Sequence, residues 1–295
     1  MLRRFDVYVP ENLEDLLNYL NDHSSEVQLI ANGTDLINRI QRRQVDPRVL
    51  VDLSGFSEFS YVRKNNGTIR IGALTTIQDL ISSPVLGRRY DVFRDVASRF
   101  GGPSIVNVAT VGGNICAASS SEDLIPVLLV LDANVRVRSK RGERVIRLED
   151  FLIGKRQTTI LPNEILVETM FDELDDQSSC AFEKIGMRNA LIIAFLNCCV
   201  NLKLSKENKR IEEIKIAMNR VFGKIPSRAK KTEAELRGKS LTRVQLENAI
   251  TSLKKELQLT SDFRASKEYR QEVAPVLFKR ALIKCLERLG EKIDV

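Results

Sequence analysis

The sequence predicts two packed parts, an α/β unit followed by an α+β unit, on three observations. Helical and strand patterns alternate over the first fifty residues, and strands precede helices in the last third. Between these parts lies the acidic stretch 172–179, DELDDQSS, which has no apolar periodicity. With 295 residues, 43% of them hydrophobic, the chain is long enough for two real cores. The boundary is placed at 175: residues 1–175, with sub-parts of about 1–55 and 56–175, then residues 176–295.

From the N-terminus, Leu13, Leu16, Leu17 and Leu20 have helical spacing, predicting a helix over 11–23. Residues 27–31 read as a short buried strand, 35–43 as a helix and 48–53 as a strand. Asn65-Asn66-Gly67 marks a turn into the strand 68–73, where Ile69 and Ile71 alternate with Thr68 and Arg70. The stretch 75–83 starts like a capped helix, and the helix 91–100 is stopped by Gly101-Gly102-Pro103. A glycine-rich loop at 109–123 leads into an apolar helix, and 134–139 and 164–171 read as strands. Beyond the boundary, 180–186, 194–204 and 211–218 read as strands, and 228–238, 241–257 and 268–290 as helices.

Composition excludes several classes. Net charge is +7, but both signs are mixed through the 29% of charged residues and only 6% of residues are aromatic. The basic cluster 228–231 sits among glutamates, as on a solvated, ion-paired face rather than a nucleic-acid surface. No run of eighteen apolar residues exists to span a membrane, and acidic residues follow Arg3 and Arg4 too soon for a signal peptide. The five cysteines contain no C-x-x-C pair, so neither a disulfide framework nor a metal site is expected, and reduced thiols point to the cytoplasm. Cys198 and Cys199, adjacent on a strand, should face opposite sides. His23, the one histidine, belongs to a helix end and not to catalysis.

Two glycine stretches raise the question of an anion site. In 28–37, QLIANGTDLI, Gly33 follows a strand and precedes a helix that Thr34 or Asp35 could cap. In 109–126, ATVGGNICAASSSEDLIP, Gly112 and Gly113 precede three serines, Glu122 and Asp123. Each alone also fits an ordinary turn or loop. No G-x-G-x-x-G follows a strand, and RGKS at 237–240 lacks the first glycine of a P-loop, since Glu233 stands there.

Taken together, the segments ANGTD (31–35) and NVATVGGN (107–114) resemble the FAD-binding medium subunit of the molybdenum hydroxylase, or xanthine dehydrogenase, family. The likeness continues through 123–133, 149–171, AFEKIGMR (181–188) and FRASKEYR (263–270), nearly the whole chain. It implies an FAD-binding domain of the vanillyl-alcohol-oxidase type, then an α+β domain of the CO dehydrogenase flavoprotein type. It implies that Leu29, Ile30, Ala31, Asn32, Gly33, Thr34 and Asp35, with Ala109, Thr110, Val111, Gly112, Gly113 and Asn114, line the FAD pyrophosphate and ribityl chain. Asp123 would contact the flavin side, Ile165 or Leu166 would pack near the isoalloxazine, and Lys184 would stand at its polar edge.

The resemblance further implies an oxidoreductase subunit with no catalytic acid or base and no metal of its own. A large partner would hold the molybdenum cofactor and a small partner the 2Fe–2S clusters, as a dimer of heterotrimers. Electrons would pass from the clusters to FAD and on to NAD or another acceptor. The substrate, a purine or other N-heterocycle or an aldehyde, would be oxidised on the large partner. Two departures stand out: Asn32 replaces the family's usual glycine, and Asn189, Ala190 and Leu191 replace acidic residues, which opens the identity of the acceptor. A self-contained FAD-dependent oxidoreductase of the same fold is the alternative. An anion- or nucleic-acid-binding module, suggested by the net charge, ranks below both.

Overall fold

The computed structural model describes residues 4–188, 193–220 and 225–291. The first sub-part is β1 (Asp6–Tyr8), α1 (Leu13–His23), β2 (Val27–Ile30), α2 (Leu36–Gln41) and β3 (Val49–Asp52), with β3 parallel to and between β1 and β2. Asn12 caps α1 by accepting the Asp15 amide at 3.0 Å, and Leu16, Leu17 and Leu20 bury one face. The helix ends at His23, whose ring stacks on Tyr19 at 4.4 Å.

The second sub-part begins with the hairpin β4 (Val62–Asn65) and β5 (Thr68–Gly72). Its two turn residues, Asn66 and Gly67, both have positive φ, 49° and 75°, the geometry that matches strand twist in a two-residue turn. Five helices follow: α3 (Ile77–Ser82), α4 (Val92–Phe100), α5 (Pro103–Val106), α6 (Val111–Ala117) and α7 (Leu124–Val130). Thr76 and Asp79 form a reciprocal capping box on α3. Every residue of α7 is buried, so this helix is the centre of the core. Then come β6 (Asn134–Ser139), β7 (Gly142–Arg147), the short α8 (Leu148–Phe151), the small hairpin β8 (Leu152–Gly154) and β9 (Gln157–Thr158), and β10 (Ile165–Asp172). They close an antiparallel sheet in the order β4-β5-β10-β6-β7.

Two of the elements that differ from the expectation bear on the site and the sheet. Residues 111–117 form helix α6 rather than a loop. Gly112 is required by packing, because a Cβ there would stand 2.8 Å from both Cβ and O of Ala73. Strand β7 was absent from the sequence reading. Its face is exposed and four of its six residues are Glu143, Arg144, Arg147 and Gly142, which hide the alternation.

The chain leaves the first sheet at Asp172 and enters the next at Ser178. There β11 (Ser178–Ile185), β12 (Leu196–Leu204), β13 (Ile211–Met218) and the two-residue β14 (Ser227–Arg228) form an antiparallel sheet in sequence order. Helices α9 (Lys230–Leu236), α10 (Arg243–Glu256) and α11 (Lys267–Arg288) complete the chain. As expected, Cys198 and Cys199 face opposite sides. Cys198 joins a core with Ala274, Phe278 and Leu282 of α11, and Cys199 joins the core that contains α7. Lys284 and Arg288 of α11 each reach Asp95 of α4 at 2.8 Å, which ties the C-terminal helix to the first domain.

Gly72 lies where a side chain has no space, since a Cβ would overlap the Phe59 carbonyl, whereas Gly55 faces open space. Gly72→Ala is expected to destabilise the fold by about 3 kcal/mol through overpacking against backbone. Gly55→Ala should stay within about 0.5 kcal/mol. Urea unfolding of both variants checks this.

Candidate functional site

The two glycine stretches lie side by side. Asn32, at the position where glycine is usual in the family it resembles, donates its side-chain amide to the Val108 carbonyl at 2.8 Å and ties them together. They open onto three adjoining chambers. The middle one, about 130 Å³, is lined by all of Leu29, Ile30, Ala31, Asn32, Gly33, Thr34 and Asp35 with Thr110 and Gly113. The largest, about 580 Å³, shares Thr34, Asp35, Thr110 and Gly113 with it and extends past Ala109 and Asn114 to Glu122 and Asp123. The third, about 350 Å³, shares Leu29, Gly113 and Cys116 and is walled by Leu53, Leu74, Ile160 and Leu166.

The two stretches present their backbones differently. The amides of Asn32, Gly33, Thr34 and Asp35 have no acceptor among the described residues. Gly33 holds this turn open with φ 74°, and a Cβ there would meet Ile37 Cγ1 at 2.8 Å. In the second stretch the amides are committed. Val111 donates to Thr75 O at 2.9 Å, Gly112 to Ala73 O at 2.8 Å, Gly113 to Thr110 Oγ1 at 3.1 Å and Asn114 to Thr110 O at 3.0 Å. Two of them fasten the stretch to the segment after β5 and two start α6. The second stretch therefore offers the chambers surface and side chains, with Val111 itself in the core.

Asp35 begins α2 but makes no side-chain cap. Its carboxylate instead takes two hydrogen bonds from Arg156, at 2.7 and 2.9 Å. Arg156 was not anticipated, and no local signal pointed to a residue 121 positions away. Asp123 likewise makes no cap at the start of α7. It pairs with the Lys184 ammonium and accepts from Asn197 Nδ2 at 2.9 Å, while Lys184 also donates to the Arg99 carbonyl at 3.0 Å. Lys184 is buried behind Asp123 and does not line the chambers described here. Burial pushes the Asp123 carboxyl up, and Lys184 and Asn197 oppose that push. Leu166 lines the third chamber, whereas Asp123 lines the largest; Ile165 packs with Leu16 and Val51 in the core.

The C-terminal domain supplies one wall of the largest chamber. Arg220 donates to Ser121 Oγ and, at 2.7 Å, to Asp262, which also receives Arg270 at 2.7 Å. Burial and the neighbouring Arg264 push Arg220 down to about 10. Arg270 is 1% exposed, so the 263–270 stretch is anchored from beneath while Phe263 and Arg264 line the chamber. The substitutions at 189–191 lie outside the described residues. Among those described, no cluster of acidic, histidine and cysteine side chains has a metal-binding arrangement, and no helix is long and apolar enough to cross a membrane.

Comparison with known proteins gives two family matches. Residues 3–171 match the FAD binding domain in molybdopterin dehydrogenase, and residues 181–285 match the CO dehydrogenase flavoprotein C-terminal domain. The nicotinate dehydrogenase FAD-subunit of Eubacterium barkeri is 29% identical, with 98% of each chain covered. The xanthine dehydrogenase FAD-binding subunit of Escherichia coli O157:H7 is 29% identical, with 96% of each covered. Among solved structures, a chain of the carbon monoxide dehydrogenase of Hydrogenophaga pseudoflava superposes with a TM-score of 0.92 at 26% identity. The match covers 98% of this chain and 99% of that one.

Removing Lys184 strands a buried carboxylate. Lys184→Met is expected to cost about 3–5 kcal/mol at neutral pH. The deficit should shrink as pH falls, because a carboxyl whose folded pKa is raised is relieved by taking up a proton. Denaturant titrations at neutral and acidic pH check both the size and the sign.

Proposed function

Since the chain belongs to the molybdopterin dehydrogenase FAD-binding family and is an FAD subunit of the molybdenum hydroxylase type, we propose that its three chambers together hold one FAD in extended form. The observation that carries this is the run of open amides from Asn32 to Asp35 over Gly33, at the junction of the chambers. Such amides fit a pyrophosphate, because N–H groups with no internal acceptor favour an anion. The apolar walls of the third chamber, Leu53, Leu74, Ile160 and Leu166, suit a flat ring, and the largest chamber has room for the other end.

FAD supplies the capacity to take up and release electrons singly or in pairs. The chain's own residues bind, orient and shield it. Arg156 neutralises Asp35 beside the open amides, so the carboxylate does not repel the pyrophosphate. Asn32 fixes the distance between the glycine stretches. Ser121, Arg220 and Asp262 hold the C-terminal domain over the largest chamber and limit water there.

In this reading the chain works in a complex. A large partner carries the molybdenum cofactor and oxidises the substrate. A small partner carries 2Fe–2S clusters and passes electrons to this FAD, which passes them to NAD or another acceptor. The full-length likeness to FAD and medium subunits of nicotinate, xanthine and carbon monoxide dehydrogenases supports it. A dimer of heterotrimers in the cytoplasm is the proposed assembly. Five free cysteines, four of them buried, fit a reducing compartment.

Native purification, with acid release of the pigment, tests the reading. Stoichiometric FAD with co-purifying iron–sulfur absorbance is expected, and a colourless protein that also refuses added FAD refutes it. Arg156→Ala leaves Asp35 with only the long 3.9 Å contact to Arg39 and should weaken FAD binding at least about tenfold, roughly 1.4 kcal/mol. Flavin-fluorescence titration of the apoprotein measures that loss.

A further inference from the structure

Three carboxylates line the largest chamber, those of Asp35, Glu122 and Asp123. Two are paired with cations: Asp35 with Arg156 and, at 3.9 Å, Arg39, and Asp123 with Lys184. Glu122 has none in contact among the described residues. Its side chain meets only the Asn114 amide, its own N–H donates to Ser119 O at 3.2 Å, and its carbonyl accepts from Asn197 at 3.2 Å. The other cations of the chamber are engaged or peripheral. Arg220 pairs with Asp262, Arg264 lies 4.4 Å over the Phe263 ring, and Lys155 and Arg42 are exposed. In this half-open cleft, a partly buried third negative charge without a cation is the one most readily neutralised by a proton.

Asn114 is suited to such a group. It is buried, its Nδ2 donates to Glu122, and its Oδ1 has no partner. A carboxamide turned over would present that oxygen instead and accept from a protonated Glu122. One partner thus serves both protonation states. We propose that Glu122 is the proton-exchanging group of the cofactor chamber, protonated at rest and taking up or holding a proton when negative charge is added to the bound flavin. The proposal rests on the FAD reading and gives that site a specific chemistry. Burial, Asp123 and Asp35 push the Glu122 carboxyl up to about 8, while Arg156 and Lys184 act in the other direction.

The balance is direct. External one-electron donors reduce the oxidised flavin, and where Glu122 is ionised in the oxidised state it takes one solvent proton in the same event. No bond other than the O–H of the carboxyl forms on the protein. Below about pH 8 Glu122 is protonated in both redox states and contributes no pH dependence. Above it, the oxidised form has lost the proton and the reduced form regains it. The potential must therefore fall more steeply with pH on the alkaline side.

The test is the midpoint potential of FAD in the reconstituted full chain, measured against pH for wild type, Glu122→Gln and Glu122→Asp. Wild type should steepen above about pH 8 by an additional proton per electron pair. Glu122→Gln should show no such steepening and a higher potential on the alkaline side, while Glu122→Asp keeps a break. Superimposable curves for wild type and Glu122→Gln, with flavin bound in both, overturn the role of Glu122 and leave the FAD reading intact. Failure of the wild-type chain to bind FAD at all overturns both.

Discussion

The buried pair between Asp123 and Lys184 is the contact on which the site depends. Asp123 belongs to the start of α7 in the first domain and Lys184 to β11 in the second. Two charges out of water are stable together only if every remaining lone pair and proton is satisfied. Here Asn197 and the Arg99 carbonyl each add a hydrogen bond to the pair, and Asn197 is itself locked by Asn219, whose side chain accepts the Asn197 amide at 2.7 Å. The geometry leaves little freedom, so the seam between the domains is fixed at the wall of the largest chamber. The chamber's shape follows from that seam.

The same economy of charge runs through the cleft. Each glycine stretch has a distinct physical task. The first keeps its amides open and its carboxylate quiet through Arg156. The second commits its amides to Ala73, Thr75 and Thr110, and contributes Gly113 as surface that a ligand can approach closely. An anion attracted to the first stretch meets backbone dipoles there, and the paired carboxylates beside it cost little repulsion.

Much of the fold was legible in the sequence because its signals are local. The leucine spacing of α1, the Asn66-Gly67 turn, and the β-rich runs that became β11, β12 and β13 carry their periods within a few residues. The first glycine stretch is different: read alone it fits an ordinary turn, and only its likeness, together with the second stretch, to the FAD-binding family marked it as cleft lining. What escaped depends on distance. Arg156 reaches Asp35 across 121 residues, and Arg220 reaches Ser121 across 99. Helix α6 was hidden by Gly112 and Gly113, whose poor helix propensity is overridden by packing on Ala73. The family resemblance alone put Lys184 at the flavin's polar edge, and no local pattern disclosed that its ammonium pairs with Asp123.

Adjacent cysteines on β12 face two different cores, and that fact bears on modularity. Phe182, Cys199 and Ala217 of the second domain's sheet belong to the same apolar cluster as α7 and the first domain's sheet. The sheet is a party wall. Although the chain matches two separate family descriptions, neither half owns a complete interior. Taking away the C-terminal half would open the side of the other's core to water, and the reverse holds for β11 to β13. The two halves are thus bound to melt, and to evolve, as one cooperative body, and a flavin domain could not be traded between relatives without its wall.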